Sequence, residues 1–190
     1  MSEFSELRTR IRNLINDTAR NGQDIFIYGT SNVFSLSESN ISDIDTIYLN
    51  DSADPLDSGD YSFDSDTKKV SVSISGIVTG DVLEMNYTYT KYSDSELNGY
   101  IKSALIHLSA NNFYTFTEAS EVIYPTPSKR ELDLIAMITS VLIQGTTSQI
   151  RLPDLVLNFN EKLSVSDKIK KIIATFKKDN AGVFFHAEYN

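Results

Sequence analysis

Asp51, Asp54, Asp57 and Asp60 recur at every third position of the stretch NDSADPLDSGD. Clustered carboxylate and carbonyl oxygens are the ligands calcium takes. An EF-hand loop, however, needs acids at alternating positions, a glycine at the sixth and a distal glutamate. A spacing of three does not meet that pattern, so the stretch reads as a solvated, turn-rich loop. Other chemistry is as sparse. The two histidines are His107, inside a helical run, and His186, in an apolar C-terminal segment. His107 reads as a partly buried structural histidine. No serine lies in a G-x-S-x-G elbow. The eight glycines are scattered and form no phosphate loop. There is no cysteine, which excludes disulfides and thiolate metal sites. The expectation is a protein with no catalytic residue, no metal and no cofactor.

Charge is distributed unevenly. The chain carries 26 acidic and 17 basic side chains over 190 residues. Positions 23–67 contain no Lys or Arg and ten acids, namely Asp24, Glu38, Asp43, Asp45, Asp51, Asp54, Asp57, Asp60, Asp64 and Asp66. That asymmetry marks a separate surface or module. It also disfavours a grip on nucleic acid by the first half, since phosphates are neutralised by cations. No apolar run is long enough to span a membrane. MSEFSELRTR lacks the basic-then-apolar order of a secretory signal, so the expected site of synthesis is the cytoplasm.

The hydrophobic period changes twice along the chain. Phe4, Leu7, Ile11, Leu14 and Ile15 fall on one helical face. Arg8, Arg10 and Arg12 lie mostly off that stripe and read as a solvated face. ARNGQD ends the helix, with Gly22 available for the left-handed cap. From Asp24 the period is two. DIFIYG, NVFSLS, DTIYLN, DYSFD, KVSVSISGIV and DVLEMNYTY read as about five or six short antiparallel strands. Leu83, Met85, Tyr87 and Tyr89 share one face of the last strand. At Tyr92 the helical period returns. Ser93 and Glu96 have capping-box spacing, and Tyr92 and Leu97 that of a hydrophobic staple. Leu97, Ile101, Ala104, Leu105 and Leu108 form the buried stripe.

Residues 111–127 read as an aromatic connection. A helix apolar nearly all round follows, opened by a second capping box at Ser128 and Glu131. It is either the central core helix or a subunit contact. Residues 150–163 read as an extended arm containing Ile150, Leu152, Leu155 and Leu157. The last helix starts at Ser164 or Ser166, with Lys168, Lys170, Lys171, Lys177 and Lys178 mostly on a wet face. DNAG ends it. The tail beyond bears Val183, Phe184, Phe185 and Tyr189, which either cover the chain's own core or dock on another protein.

The predicted class is therefore α+β. A helical domain of about four helices, residues 1–22 and 92–190, carries an inserted antiparallel β-module, residues 23–91. Tyr92, Ser93, Glu96 and Leu97 are the expected joint.

The segment from Asp60 to Leu97 resembles a pattern in structural proteins of tailed bacteriophages. A hairpin carrying Asp60, Tyr61, Asp64, Gly80, Asp81, Tyr87 and Tyr89 runs into Ser93, Asp94, Glu96 and Leu97 at the head of a helix. With LRTRIRNLINDT in front, the layout resembles the head–tail connector, or adaptor, family. The glycine usual after the strand-turn aspartate is replaced here by SDTKK. The resemblance implies a virion neck protein, made in the host cytoplasm, that forms a ring, typically a dodecamer, beneath the portal. Its partners would be other copies of itself, the portal protein and a tail or tail-terminator protein. Double-stranded DNA would pass through without sequence-specific binding, and no membrane is involved. Docking segments would be 150–163 and 183–190. Other tail, baseplate or decoration proteins are alternatives within that class. Outside it, a glycan-binding β-module would stack sugars on Tyr87, Tyr89 and Tyr92.

Overall fold

The computed structural model describes residues 2–153, 155–160 and 162–187, with side chains described as far as Lys177. The fold is α+β, and the chain divides into two compact units. Met1–Asp17 with Asp94–Asn190 forms a helical unit, and Thr18–Ser93 forms a β-unit.

In the helical unit, α1 spans Glu3–Ile15 and buries Phe4, Leu7, Ile11 and Ile15. Ser2 caps it by accepting a hydrogen bond from the Ser5 amide at 3.3 Å, and Glu3 and Glu6 lie at the positive end of the helix dipole. α2 spans Asp94–Ala110 and buries the expected stripe from Leu97 to Leu108. α3 spans Lys129–Ile143 and packs against α1, α2 and α4. It is the central core helix, with Leu132, Leu134, Ile135, Met137, Ile138 and Val141 all buried. Its capping box is formed in both directions, between Ser128 and Glu131. α4 spans Val165–Ala187. Ser164 caps it, accepting from the Asp167 amide and donating to the Asp167 carboxylate.

Three expectations about this unit are corrected. Within 111–127, β7 (Thr117–Ala119) and β8 (Val122–Tyr124) form an antiparallel hairpin rather than a plain connection. Residues 150–163 are not an extended arm, because β9 (Gln149–Leu152) and β10 (Leu155–Asn158) pair antiparallel. Pro153 sits at the turn, where its missing amide breaks no ladder bond. Finally, α4 does not stop at DNAG. Its backbone continues through Gly182, and one interior glycine costs only about 1 kcal/mol against alanine.

The β-unit holds two three-stranded antiparallel sheets. In the first, β6 (Val82–Tyr89) lies between β1 (Arg20–Ile27) and β3 (Ile41–Leu49). In the second, β5 (Lys69–Val72) lies between β2 (Val33–Ser35) and β4 (Tyr61–Asp64). Phe34, Val70 and Val72 of the second sheet share one core with Ile44, Ile47, Leu83, Met85 and Tyr87 of the first. The first and last strands are direct neighbours, with Arg20 opposite Tyr89. The chain therefore leaves this unit beside the point where it came in.

Gly22 does not cap α1. The left-handed residue there is Asn16, at φ 55°. Gly22 lies inside β1, opposite Tyr87, and a Cβ on it would overlap the tyrosine ring. The missing side chain lets the ring lie along β1. Its hydroxyl then reaches the Asp24 carboxylate at 3.0 Å and the Ser37 hydroxyl at 3.1 Å. Burial pushes the Tyr87 phenol above its ordinary pKa, and the adjacent Asp24 carboxylate adds to the rise. Gly22→Val should lower the stability of the β-unit by about 2 kcal/mol, the cost of overpacking a filled site. Gly59, which has open space around it, serves as the control. Gly59→Val should stay within about 0.5 kcal/mol in the same urea titration.

Candidate functional site

The acidic run divides between turn-building and solvated residues. Asp64 accepts from the Asp66 and Thr67 amides and from the Thr67 hydroxyl, closing the β4–β5 turn. These bonds, that from the Thr67 hydroxyl first, hold its carboxyl below the usual carboxylate range. Asp81 accepts from the Val78 amide and from Asn50, and its carboxyl is depressed for the same reason. Asp45 accepts from Thr88 at 2.9 Å. Asp51, Asp54 and Asp57 are exposed and Asp60 half-buried, all in the loop before β4. Among the described residues no cluster of His, Asp and Glu has metal-binding geometry. His107 is half-buried on α2, and the side chain of His186 lies outside the described residues. Tyr87 is only 1% exposed and Tyr89 and Tyr92 are half-buried, so these three rings do not form the sugar-stacking platform entertained for them.

The densest arrangement of charge lies instead on α1. Its arginines are not the solvated face expected from their spacing. Asp17 is buried, with its side chain 1% exposed, yet it carries a carboxylate. Arg12 donates to it from Nη1 at 2.5 Å, and from Nη2 to Asp94 at 2.9 Å. Arg8 meets the other Asp94 oxygen through Nε at 3.3 Å, and its Nη1 reaches Asn98 and Glu121. Arg10 pairs with Glu6 and with Asp133 on α3. Asp17 is the last residue of the helical unit before the β-unit and Asp94 the first after it. One guanidinium thus holds both chain ends between which the β-unit is inserted.

The backbone cooperates in this. Asn16 in the left-handed conformation turns the chain so that the Asp17 amide donates back to the Arg12 carbonyl at 2.9 Å. Gln144, just after α3, donates from its side chain to the Ile15 carbonyl. Sequence spacing gave no hint of either partner, because both come from outside the α1 stripe.

The residues expected at the joint have mixed placements. Leu97 is fully buried. Tyr92 and Ser93 are half-buried immediately before α2, and Glu96 is exposed in its first turn. The expected docking residues divide in a similar way. Ile150 and Leu157 face each other across the β9–β10 hairpin and are buried. Leu152 and Leu155, also paired, are half-buried and line a groove of about 540 Å³ with Arg10, Arg130, Asp133 and Phe176. Val183, Phe184 and Phe185 lie on the α4 helical backbone rather than in an extended tail. Their side chains, and the whole of Tyr189, lie outside the described residues.

Lys168 is a further correction. It faces inward on α4 and is fully buried. Its ammonium donates to the carbonyls of Gly145 and Thr147 at 2.6 and 2.8 Å, and lies 5.9 Å from the Phe159 ring. It ties down the loop after α3, where the helix dipole also favours a cation. Lys171 and Lys177 likewise donate to backbone carbonyls, those of Asn158 at the end of β10 and Asn111 after α2.

Arg12→Ala should destabilise the helical unit by about 3 kcal/mol, since it leaves a buried carboxylate without its cation. Adding Asp17→Asn should recover at least half of that loss, as read by chemical denaturation. Lys168→Met should cost about 3 kcal/mol, because two charge-assisted hydrogen bonds are lost and two half-buried carbonyls lose their donor. Hydrogen exchange should show the loss concentrated between α3 and β9. No protein-family profile matches the chain, and no curated protein matches it.

Proposed function

We propose that the chain is a structural virion protein, a head–tail adaptor that forms a ring beneath the portal, extends the DNA channel and offers the tail a docking surface. The observation that supports this reading is that one arginine of the helical unit, Arg12, binds both Asp17 and Asp94, the residues of that unit that flank the inserted β-unit. A ring component needs the same chain geometry in every copy, and an arginine that holds both flanking residues of the helical unit favours that within this unit. The segment that carries the phage resemblance holds the β4–β5 hairpin in one sheet, β6 in the other, and the head of α2. The role is mechanical rather than enzymatic.

Charge suits the same reading. The β-unit has twelve acids and four bases. A channel wall of that sign repels DNA phosphates and lets a duplex slide without sticking. No described helix is long and apolar enough to cross a membrane.

Purified chain should form rings alone, or remain monomeric and add to a portal ring when that protein is supplied. Mass measurement by light scattering, with and without portal from the same particle, distinguishes these outcomes from failure. A monomer indifferent to portal, or a particle neck that lacks the chain in low-resolution images, would overturn the proposal.

A further inference from the structure

The two sheets of the β-unit have four edge strands, and three of them are protected. β2 spans three residues and β4 four, which is little template for another chain. β3 is long, but two register shifts bulge it, and it bears the exposed Asp43 and Asp45. Short strands, bulges and charges are the usual means of blunting an edge. β1 is neither short nor bulged, and its charges are confined to Arg20 at its start and Asp24 on the inner face. It runs for eight residues in unbroken register with β6. Its outward side chains from 21 to 27 are Asn21, Gln23, Ile25 and Ile27, all uncharged. Ile25 is 63% exposed and Ile27 73%.

The backbone on that side is also available. Tyr28 exchanges hydrogen bonds with the β6 side, donating to the Asp81 carbonyl and accepting from the Gly80 amide. Antiparallel pairing alternates, so Phe26, Asp24 and Gly22 also turn their peptide groups toward β6. Gln23, Ile25 and Ile27 then turn theirs outward. No described strand pairs with them.

What would fit is set by the two faces beside this edge. On the outer face lie Ile25 and Ile27. On the inner face, Ser37 lies next to Asp24, and the Glu38 backbone lies at the Tyr87 hydroxyl that donates to Asp24. The unit as a whole bears eight more acids than bases. A second copy would bring the same charge to the contact. We propose that the outer edge of β1 receives an extended segment of a different protein, one that alternates apolar with basic residues. That segment adds to the β1–β6–β3 sheet as a fourth strand, with main-chain bonds to residues 23, 25 and 27. Its apolar side chains lie beside Ile25 and Ile27, and its basic ones lie on the face of Asp24. This inference does not depend on the virion reading.

The test uses the full chain and a labelled eight-residue peptide of alternating valine and lysine. Fluorescence anisotropy gives its affinity, and amide exchange reports residues 23, 25 and 27. Saturable binding is expected, with those amides protected. Methylating alternate peptide nitrogens should weaken it by about tenfold or more, the equivalent of about 1.4 kcal/mol. A glutamate-for-lysine peptide should bind at least as poorly. Ile25→Pro removes an outward amide while leaving the β6 ladder intact, and should abolish binding without shifting the melting midpoint appreciably. Ile27→Lys, which needs no backbone change, should weaken binding by replacing an apolar contact with a charge. Equal affinity for the methylated peptide, or no saturable binding, would overturn the proposal. A dimer present without peptide and dissolved by Ile25→Pro would assign the edge to a second copy instead.

Discussion

A carboxylate shut away from water must have a cation or several donors close by, because desolvation alone costs several kcal/mol. Asp17 is such a group, and Arg12 is its cation. Much of the helical unit's geometry follows from satisfying that pair. The chain must reverse after Ile15 to bring Asp17 back beside Arg12, and asparagine tolerates the left-handed conformation this requires. The second half of the guanidinium is then free to reach Asp94, which fixes where α2 begins relative to α1. Arg8 occupies the remaining Asp94 oxygen and carries the network on to Glu121 in the β7–β8 turn. Surface ion pairs contribute little on their own. This chain of pairs differs because its origin is buried.

The β-unit meets a separate constraint. An inserted domain needs its two ends close together, and here they are adjacent strands of one sheet. Within that pairing Gly22 and Tyr87 form a complementary couple, an absent side chain beneath a large ring. The tyrosine hydroxyl then needs a partner, and Asp24, two residues along the same strand, provides it. So a glycine that would ordinarily weaken a strand permits a buried aromatic with a satisfied polar end. The acids do comparable local work. Asp64 and Asp81 each bind turn amides, which makes part of the negative charge a consequence of turn chemistry rather than of surface design.

Periodicity alone made α1, α2, α3 and β6 legible, and with them the α+β class. Each has a long, regular apolar stripe whose partner is the core. What it did not reveal were groups whose partners are remote in sequence. Arg8, Arg10 and Arg12 sit off the stripe of α1, and spacing cannot show that Asp94, Glu121 and Asp133 come to meet them. Lys168 resembles its lysine neighbours in sequence, and only the loop after α3 distinguishes it. Gly22 misleads for a related reason. A glycine after a helical run suggests a cap, but Asn16 had already ended the helix, so the β-unit starts several residues earlier than composition implied. The β7–β8 and β9–β10 hairpins are not legible in the sequence because strands of three or four residues carry almost no period.

The bare edge of β1 and the acidity of its unit are best understood together. A flat apolar edge ordinarily invites copies of the same chain to pair, and natural sheets commonly prevent this with lysine or proline on the edge itself. β1 has neither between residues 21 and 27. The protection comes from elsewhere. Two copies approaching edge to edge bring two strongly negative surfaces within the roughly 8 Å over which physiological salt leaves charges unscreened. That repulsion disfavours self-pairing without occupying the edge, and it reverses sign for a cationic strand. A lysine on β1 would have blocked every partner alike, whereas charge spread over the unit's surface blocks only those of the same sign. Charge of one sign spread over the unit thus discriminates among approaching chains by their own charge.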